Sequence, residues 1–252
     1  MSNTPGPARN RLRNATVAAI IALIGGGAGW LIGSDSLNQS AMPSGDKAAI
    51  EQVVRNYILE HPEILPEAME RLRSREDAKA LAGVADVVKT PFPGAILGNP
   101  EGKVTLVEFT DFACTYCRQS VADVEALIAA NPELKVVIRE LPILSPQSAD
   151  AARMALAAAE QGRYLAFHRA MFAIGRPDAQ TIAAAARQAG LDMERANRFI
   201  ADPKVAAEIN RNLELARQLG FSGTPAWVAG DKMLSGAVGQ AQLAQAINEA
   251  EG

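Results

Sequence analysis

The sequence predicts an α/β fold: a strand–helix–strand unit, a helical insert, then two strands and a closing helix. An N-terminal membrane segment and a helical extension precede it. Three observations carry this reading. Two short apolar runs, Lys103–Thr110 and Lys135–Leu141, flank a helical stretch, Val121–Ala130, that Asn131-Pro132 stops. Mostly apolar runs of that length read as strands covered on both faces, and strand, helix, strand makes a right-handed βαβ unit. From Ser148 to Gly220 the pattern is helical throughout, with breaks at Gly162, Gly175–Pro177, Gly190 and Asp202-Pro203. Glycine and proline punctuate helices, so these breaks give four or five of them. Last comes a hairpin, Ala226–Ala229 and Lys232–Ser235 joined around Gly230-Asp231, with Gln240–Glu251 as the final helix.

The bulk composition agrees. In 252 residues, 48% are hydrophobic and 21% charged, enough apolar material for one sizeable core. A net charge of −3 and only 5% aromatic residues argue against a nucleic-acid binder, which needs phosphate-neutralising cations or stacking platforms.

The elements follow in chain order. Arg9, Arg11 and Arg13 precede an uncharged run, residues 14–34, whose apolar centre is Ala15–Ile24. A span needs roughly 20 residues, and the basic flank stays cytoplasmic. Residues 1–13 therefore read as a cytoplasmic tail, and 14–34 as a signal-anchor or a cleavable signal peptide. Trp30-Leu-Ile carries the apolar run beyond a minimal signal core and favours the anchor. A buried core helix fits poorly, because four glycines would weaken it. Residues 35–45 read as a linker.

Residues 46–90 read as a helical extension, with Asp46 as N-cap. Ile50, Val53, Val54, Tyr57 and Ile58 recur at helical spacing, His61-Pro62 interrupts, and a second helix from near Pro66 carries Ala68, Met69 and Leu72. One apolar stripe cannot build a core alone. It docks on the main domain or, as a homo-oligomer through residues 46–80, on copies of itself. Residues 91–252 form the main domain, opening with an extended, turn-rich stretch, Pro91–Pro100.

Both cysteines of the chain fall in one C-x-x-C, Cys114-Thr115-Tyr116-Cys117, just past the first strand. A structural metal site needs about four ligands, and His61 and His168 are far away in sequence, so no metal is expected. A disulfide closing so short a loop removes little unfolded-state entropy, so a purely structural role is poor. Redox exchange remains. At the start of a helix, unpaired N–H groups and the macrodipole favour an exposed thiolate at Cys114. Cys117, one turn inside and more buried, is placed to resolve a mixed disulfide.

Glu108 interrupts the apolar strand six residues earlier. If buried, its pKa is raised and it can relay the proton of Cys117. It can equally face outward or pair with an arginine. Asp111 reads as a turn residue near the rim. Thr224-Pro225, after Gly223, suits a special bend, and a cis bond there would offer Thr224 backbone groups to an extended substrate. An ordinary edge-strand proline is the alternative.

Three stretches together resemble one family: Val-Glu-Phe-Thr-Asp-Phe-Ala-Cys-Thr-Tyr-Cys (107–117), Arg-Glu-Leu-Pro-Ile-Leu (139–144) and Gly-Thr-Pro-Ala-Trp (223–227). They are similar to the DsbA-like thiol–disulfide oxidoreductases, thioredoxin folds with a helical insert. The resemblance implies that Cys114 attacks, Cys117 resolves, Glu108 is the buried acid and Thr224-Pro225 is the cis-proline loop. Thr115 and Tyr116 join Thr224 and Pro225 on the substrate side. The extension over Ile50–Leu72 looks like that of the ScsC-like branch, where it can mediate oligomerisation. The motif dipeptide here is Thr-Tyr rather than Pro-His, which removes one source of thiolate stabilisation.

The expectation is thus a periplasmic oxidase or isomerase of disulfides in exported proteins, tethered to the inner membrane or secreted. It needs no organic cofactor and is recycled by membrane redox partner proteins. One rival is a thiol-based copper-handling protein of the cell envelope, since thiolates are soft ligands for Cu(I). Another is a scaffold in which the thiols are incidental.

Overall fold

This computed structural model describes residues 44–251. The expected tail, the membrane segment at 14–34 and most of the linker lie outside them. Among the described residues, no helix is long and apolar enough to cross a membrane. The chain divides into two compact units between Pro66 and Glu67.

In the first unit, helix α1 (Ser44–Glu60) places Asp46 in its first turn. It ends at His61-Pro62, where the His61 N–H donates to the Tyr57 carbonyl at 2.8 Å and the two rings meet tilted at 47°, centroids 4.6 Å apart. The apolar stripe of α1 is uncovered: Val53 is 67% and Tyr57 55% exposed.

Helix α2 (Ile64–Leu81) runs from the first unit into the second, and α3 (Ala85–Lys89) follows. From Glu67 the chain belongs to the larger unit. The physical reason is burial. Leu81 and Val88 pack in a core cluster with Val107, Phe109 and Val137. The buried Arg139 guanidinium donates to the carbonyls of Val87, Val88 and Thr90, and pairs with Glu208 at 2.8 Å.

The sheet has five strands in the order β1-β3-β2-β4-β5. They are β1 (Ile96–Gly98), β2 (Val104–Thr110), β3 (Leu134–Glu140), β4 (Ala226–Ala229) and β5 (Lys232–Ser235). Strands β2 and β3 are parallel and the other pairs antiparallel. Strand β1 has no counterpart in the sequence reading, because three residues are too few to show a period; its pairing with β3 makes it a strand. Side chains alternate across β2. Leu106 joins Val136, Ile138, Trp227 and Ala229 on one face, and Val107 and Phe109 join Val137, Val228 and Ala226 on the other. Both faces are dry, as the apolar run implies.

Helix α4 (Thr115–Ala130) connects β2 to β3, with Cys114 as N-cap, the helix start that the sequence places at the first cysteine. The insert comprises α5 (Pro146–Glu160), α6 (Tyr164–Ile174), α7 (Ala179–Gln188), α8 (Met193–Ile200) and α9 (Pro203–Gln218), broken where the glycines and prolines predict. Side chains of Ser145, Asp178, Asp192 and Asp202 accept backbone N–H groups at four of these starts, satisfying donors that a helix leaves open. Helix α10 (Gln240–Glu251) closes the fold.

Candidate functional site

The site forms where β2 hands over to α4. The Asp111 carbonyl accepts the Cys114 N–H at 2.9 Å, turning the chain so that Cys114 caps the helix. Its sulfur accepts the Cys117 N–H at 3.3 Å. From the far side of the chain, the Thr224–Pro225 bond is cis, and the Cys114 thiol donates to the Thr224 carbonyl at 3.2 Å. Both cysteines are free thiols. Thr115 and Tyr116 lie exposed between them, Tyr116 at 62%.

The Cys114 sulfur is expected to stand exposed, but the residue is only 4% accessible. A loop more than a hundred residues away lies against it, which spacing along the chain does not reveal. Cys117 is wholly buried, as its place one turn inside the helix implies.

The electrostatics divide the thiols. Hydrogen bonding from Cys117 lowers Cys114 from 9.0 to about 5, against the opposing effect of burial, with help from Thr224 and the N–H groups of Cys117 and Tyr116. Burial pushes Cys117 far up, and the neighbouring Cys114 and Glu108 add to this. One sulfur is poised as thiolate; its partner keeps its proton until something removes it.

Glu108 is 3% exposed and sits opposite Trp227 and Ile138 on the face of β2 that carries Leu106. Burial raises its carboxyl from 4.5 to about 8; the Thr110 hydroxyl opposes this and Cys114 reinforces it. It neither faces outward nor pairs with an arginine.

Two further acids are deeper than the sequence suggests. Asp111 is not at the rim but 1% exposed. Its carboxylate accepts the N–H groups of Ala113 at 2.8 Å and of Ile143 and Leu144 at 2.9 Å each, so it ties the cysteine turn to the loop after β3. Charged hydrogen bonds to backbone are stronger than neutral ones, and three of them offset the loss of water. Glu140, also 1% exposed, accepts from the Tyr164 hydroxyl at 2.6 Å. Burial raises it well above the usual range, Tyr164 opposes, and Asp111 and Glu108 add. The signal for Glu140 is an acid ending an apolar strand, the same pattern that marks Glu108. No group of three or more His, Cys, Asp or Glu residues suited to a metal occurs among the described residues.

A parallel strand–helix–strand unit, a helical insert and a paired-thiol turn facing a cis-proline define a thioredoxin-like protein of the inserted type. The family described as the DSBA-like thioredoxin domain matches residues 105–248, and the chain belongs to it. Residues 46–79 match a second family, the copper resistance protein ScsC N-terminal domain. Among solved structures, a thioredoxin-like oxidoreductase from Silicibacter pomeroyi DSS-3 is 44% identical, covering 62% of this chain and 91% of that one with a TM-score of 0.60. The catalytic domain of Proteus mirabilis ScsC is 29% identical over 69% of this chain and 97% of its own, TM-score 0.62. The thiol-disulfide exchange protein alpha-DsbA2 from Wolbachia pipientis is 27% identical over 71% and 97%, TM-score 0.65. A curated relative, the Na(+)/H(+) antiporter NhaA 3 of Salinispora tropica, is 30% identical over 191 residues; the match takes in 71% of this chain but only 29% of that protein's length.

Proposed function

We propose that this protein is a thiol–disulfide oxidoreductase acting on exported proteins through Cys114 and Cys117. The observation that carries the reading is the setting of the Cys114 sulfur, which accepts the Cys117 N–H at 3.3 Å at a helix start and meets the cis Thr224–Pro225 carbonyl at 3.2 Å. In the oxidised enzyme, a substrate thiolate attacks the Cys114 sulfur. A mixed disulfide forms, and Cys117 leaves and takes up a proton, which Glu108 supplies. A second substrate thiolate attacks the substrate sulfur and expels Cys114 as a stable thiolate. Two electrons pass from substrate to enzyme. In the reduced enzyme, the Cys114 thiolate attacks a substrate disulfide. Escape requires Cys117 to lose its proton, for which the Glu108 carboxylate is the acceptor, and to attack Cys114. Thr115, Tyr116, Thr224 and Pro225 meet the substrate chain, with Thr224 backbone groups pairing to it as an added strand.

No organic cofactor is required, because the disulfide carries the electrons. The place of action is the periplasm, where the protein is anchored to the inner membrane or released after signal cleavage. A Salmonella enterica structure described as a periplasmic thioredoxin-like protein, 29% identical with a TM-score of 0.59, supports this. Membrane redox proteins recycle the pair, and the uncovered stripe of α1 joins copies of the chain. The deciding experiment compares reactivation of scrambled ribonuclease by the reduced protein with oxidation of a reduced peptide by the oxidised one. The first activity alone marks an isomerase, the second an oxidase; loss of neither in Cys114→Ser would sink both readings.

The match of residues 46–79 to a copper resistance protein domain favours a second reading, Cu(I) held between the two thiolates. Cu(I) titration of the reduced protein tests it: one equivalent bound by the parent and none by Cys117→Ser supports metal handling.

A further inference from the structure

The face of β2 that carries Glu108 holds one more polar group. Side chains alternate along a strand, so Leu106, Glu108 and Thr110 point to the same side. Leu106 belongs to the core cluster that includes Cys114, Cys117 and Val124, so the inner face of α4 packs on that side of the strand. Thr110 ends the strand, just before Asp111 and the cysteine turn, and it is fully buried.

The Thr110 hydroxyl makes no well-formed hydrogen bond. Its register neighbour on β3, Glu140, accepts from Tyr164 at 2.6 Å instead. A buried hydroxyl without a partner is costly, and valine would fill the same place without that cost. Threonine nevertheless stands here, near enough to Glu108 and to Cys117 to favour the ionised form of each. The titratable groups around this face are Cys114 and Cys117 from α4, Asp111 from the turn, Glu140 from β3 and Tyr164 from α6. Of these, Cys117 is the one that must give up a proton to resolve a mixed disulfide, and Glu108 is its acceptor.

A hydroxyl donates and accepts at once, so it can take one proton while passing its own on. Hydrogen bonds of a catalytic chain are often long or poorly aligned in the resting enzyme and tighten as reaction begins. A loose hydroxyl beside both donor and acceptor has that form.

We propose that the Thr110 hydroxyl carries the proton between Cys117 and Glu108. The inference rests on the oxidoreductase reading above and names a further catalytic residue for it. As the Cys117 sulfur attacks Cys114 in the mixed disulfide, its proton passes to Thr110 Oγ1, and the hydroxyl proton of Thr110 passes to the Glu108 carboxylate. The Cys114–Cys117 bond forms, the substrate leaves as a thiolate with two electrons from the enzyme, and Glu108 ends protonated. In the oxidised enzyme the same transfers run backwards.

The test mixes the reduced full chain with a peptide disulfide, quenches in acid and follows the Cys114–peptide adduct by mass. Thr110→Val keeps the shape and removes the hydroxyl. Its adduct should accumulate and resolve at least tenfold more slowly, short of the roughly 10²–10⁴-fold that a whole acid–base group contributes. Thr110→Ser should restore most of the rate, and adding Glu108→Gln to Thr110→Val should slow it little further, because both serve one transfer. The rate against pH separates a carrier from a packing or electrostatic role. Losing only the hydroxyl's favourable interaction with the ionised forms would move the midpoint upward from the Glu108 value of about 8 and keep the plateau; losing the carrier lowers the plateau itself. Should Thr110→Val not fold, Thr110→Ala, which also lacks the hydroxyl, takes its place. An unchanged plateau, or a variant without the hydroxyl that resolves the adduct as fast as the parent, overturns the relay and leaves the oxidoreductase reading standing. A parent that forms no adduct removes that reading, and the relay with it.

Discussion

Replacing Glu108 by Gln should make the protein more stable and a worse catalyst, with a stability gain that depends on pH. The side chain is 3% exposed, and burial raises its carboxyl from 4.5 to about 8. An acid raised on folding is neutral in the native state where the unfolded chain has already ionised it. The native state then binds the extra proton, so stability falls as pH rises from 4.5 towards 8 and is level outside that window. At about 1.4 kcal/mol per pH unit, the interval from 4.5 to 7 amounts to roughly 3 kcal/mol. Glutamine keeps the shape and does not titrate, so the variant escapes this penalty. Denaturant unfolding of both reduced proteins measures it. The difference between them should start growing near pH 4.5, reach ~3 kcal/mol at pH 7 and level off above pH 8. The same variant should hold mixed disulfides longer, because Cys117 has lost its proton acceptor. A stability difference that does not change with pH, or a variant weaker than the parent at pH 7, would refute the buried-acid argument.

Three other expectations concern separate parts of the molecule. Alkylation of reduced Cys114, followed against pH, should show a midpoint near 5, and Cys117→Ala should move it upward because Cys117 is the largest support of the thiolate. By the same linkage, the thiolate's contribution to the reduced fold is complete above the ordinary thiol value of 9.0 and lost as pH falls through about 5. Arg139→Met strips Glu208 of its buried partner and three backbone carbonyls of their donor, and should cost roughly 3–5 kcal/mol in denaturant unfolding. Val53→Lys combined with Tyr57→Lys puts two charges on the uncovered stripe of α1; the solution mass should fall to that of one chain if this face joins copies, and an unchanged multimer would place the contact elsewhere.

Much of the site is legible in the sequence because its parts are local. An apolar run that ends at a C-x-x-C places a strand before a helix start, and helix geometry alone puts Cys114 outside Cys117. Glu108 can be singled out because an acid in an apolar strand is conspicuous. Asp111 is misread as a rim residue because its partners, Ile143 and Leu144, arrive from the far end of β3. Glu140 is overlooked because its partner, Tyr164, comes from the insert.

The residue pattern by itself determined the strand–helix–strand unit, the helical insert with its breaks, the hairpin and the order of the two thiols. These depend on periodicity, backbone preferences and short spacings. Tertiary structure alone decided how little of Cys114 is exposed, where the first unit ends, and that β1 is a strand. Each of those is set by groups distant in the chain: Thr224 against the sulfur, Arg139 holding the segment after α2, and β3 lending its edge to three residues. Packing brings such groups together, and no local preference encodes their meeting.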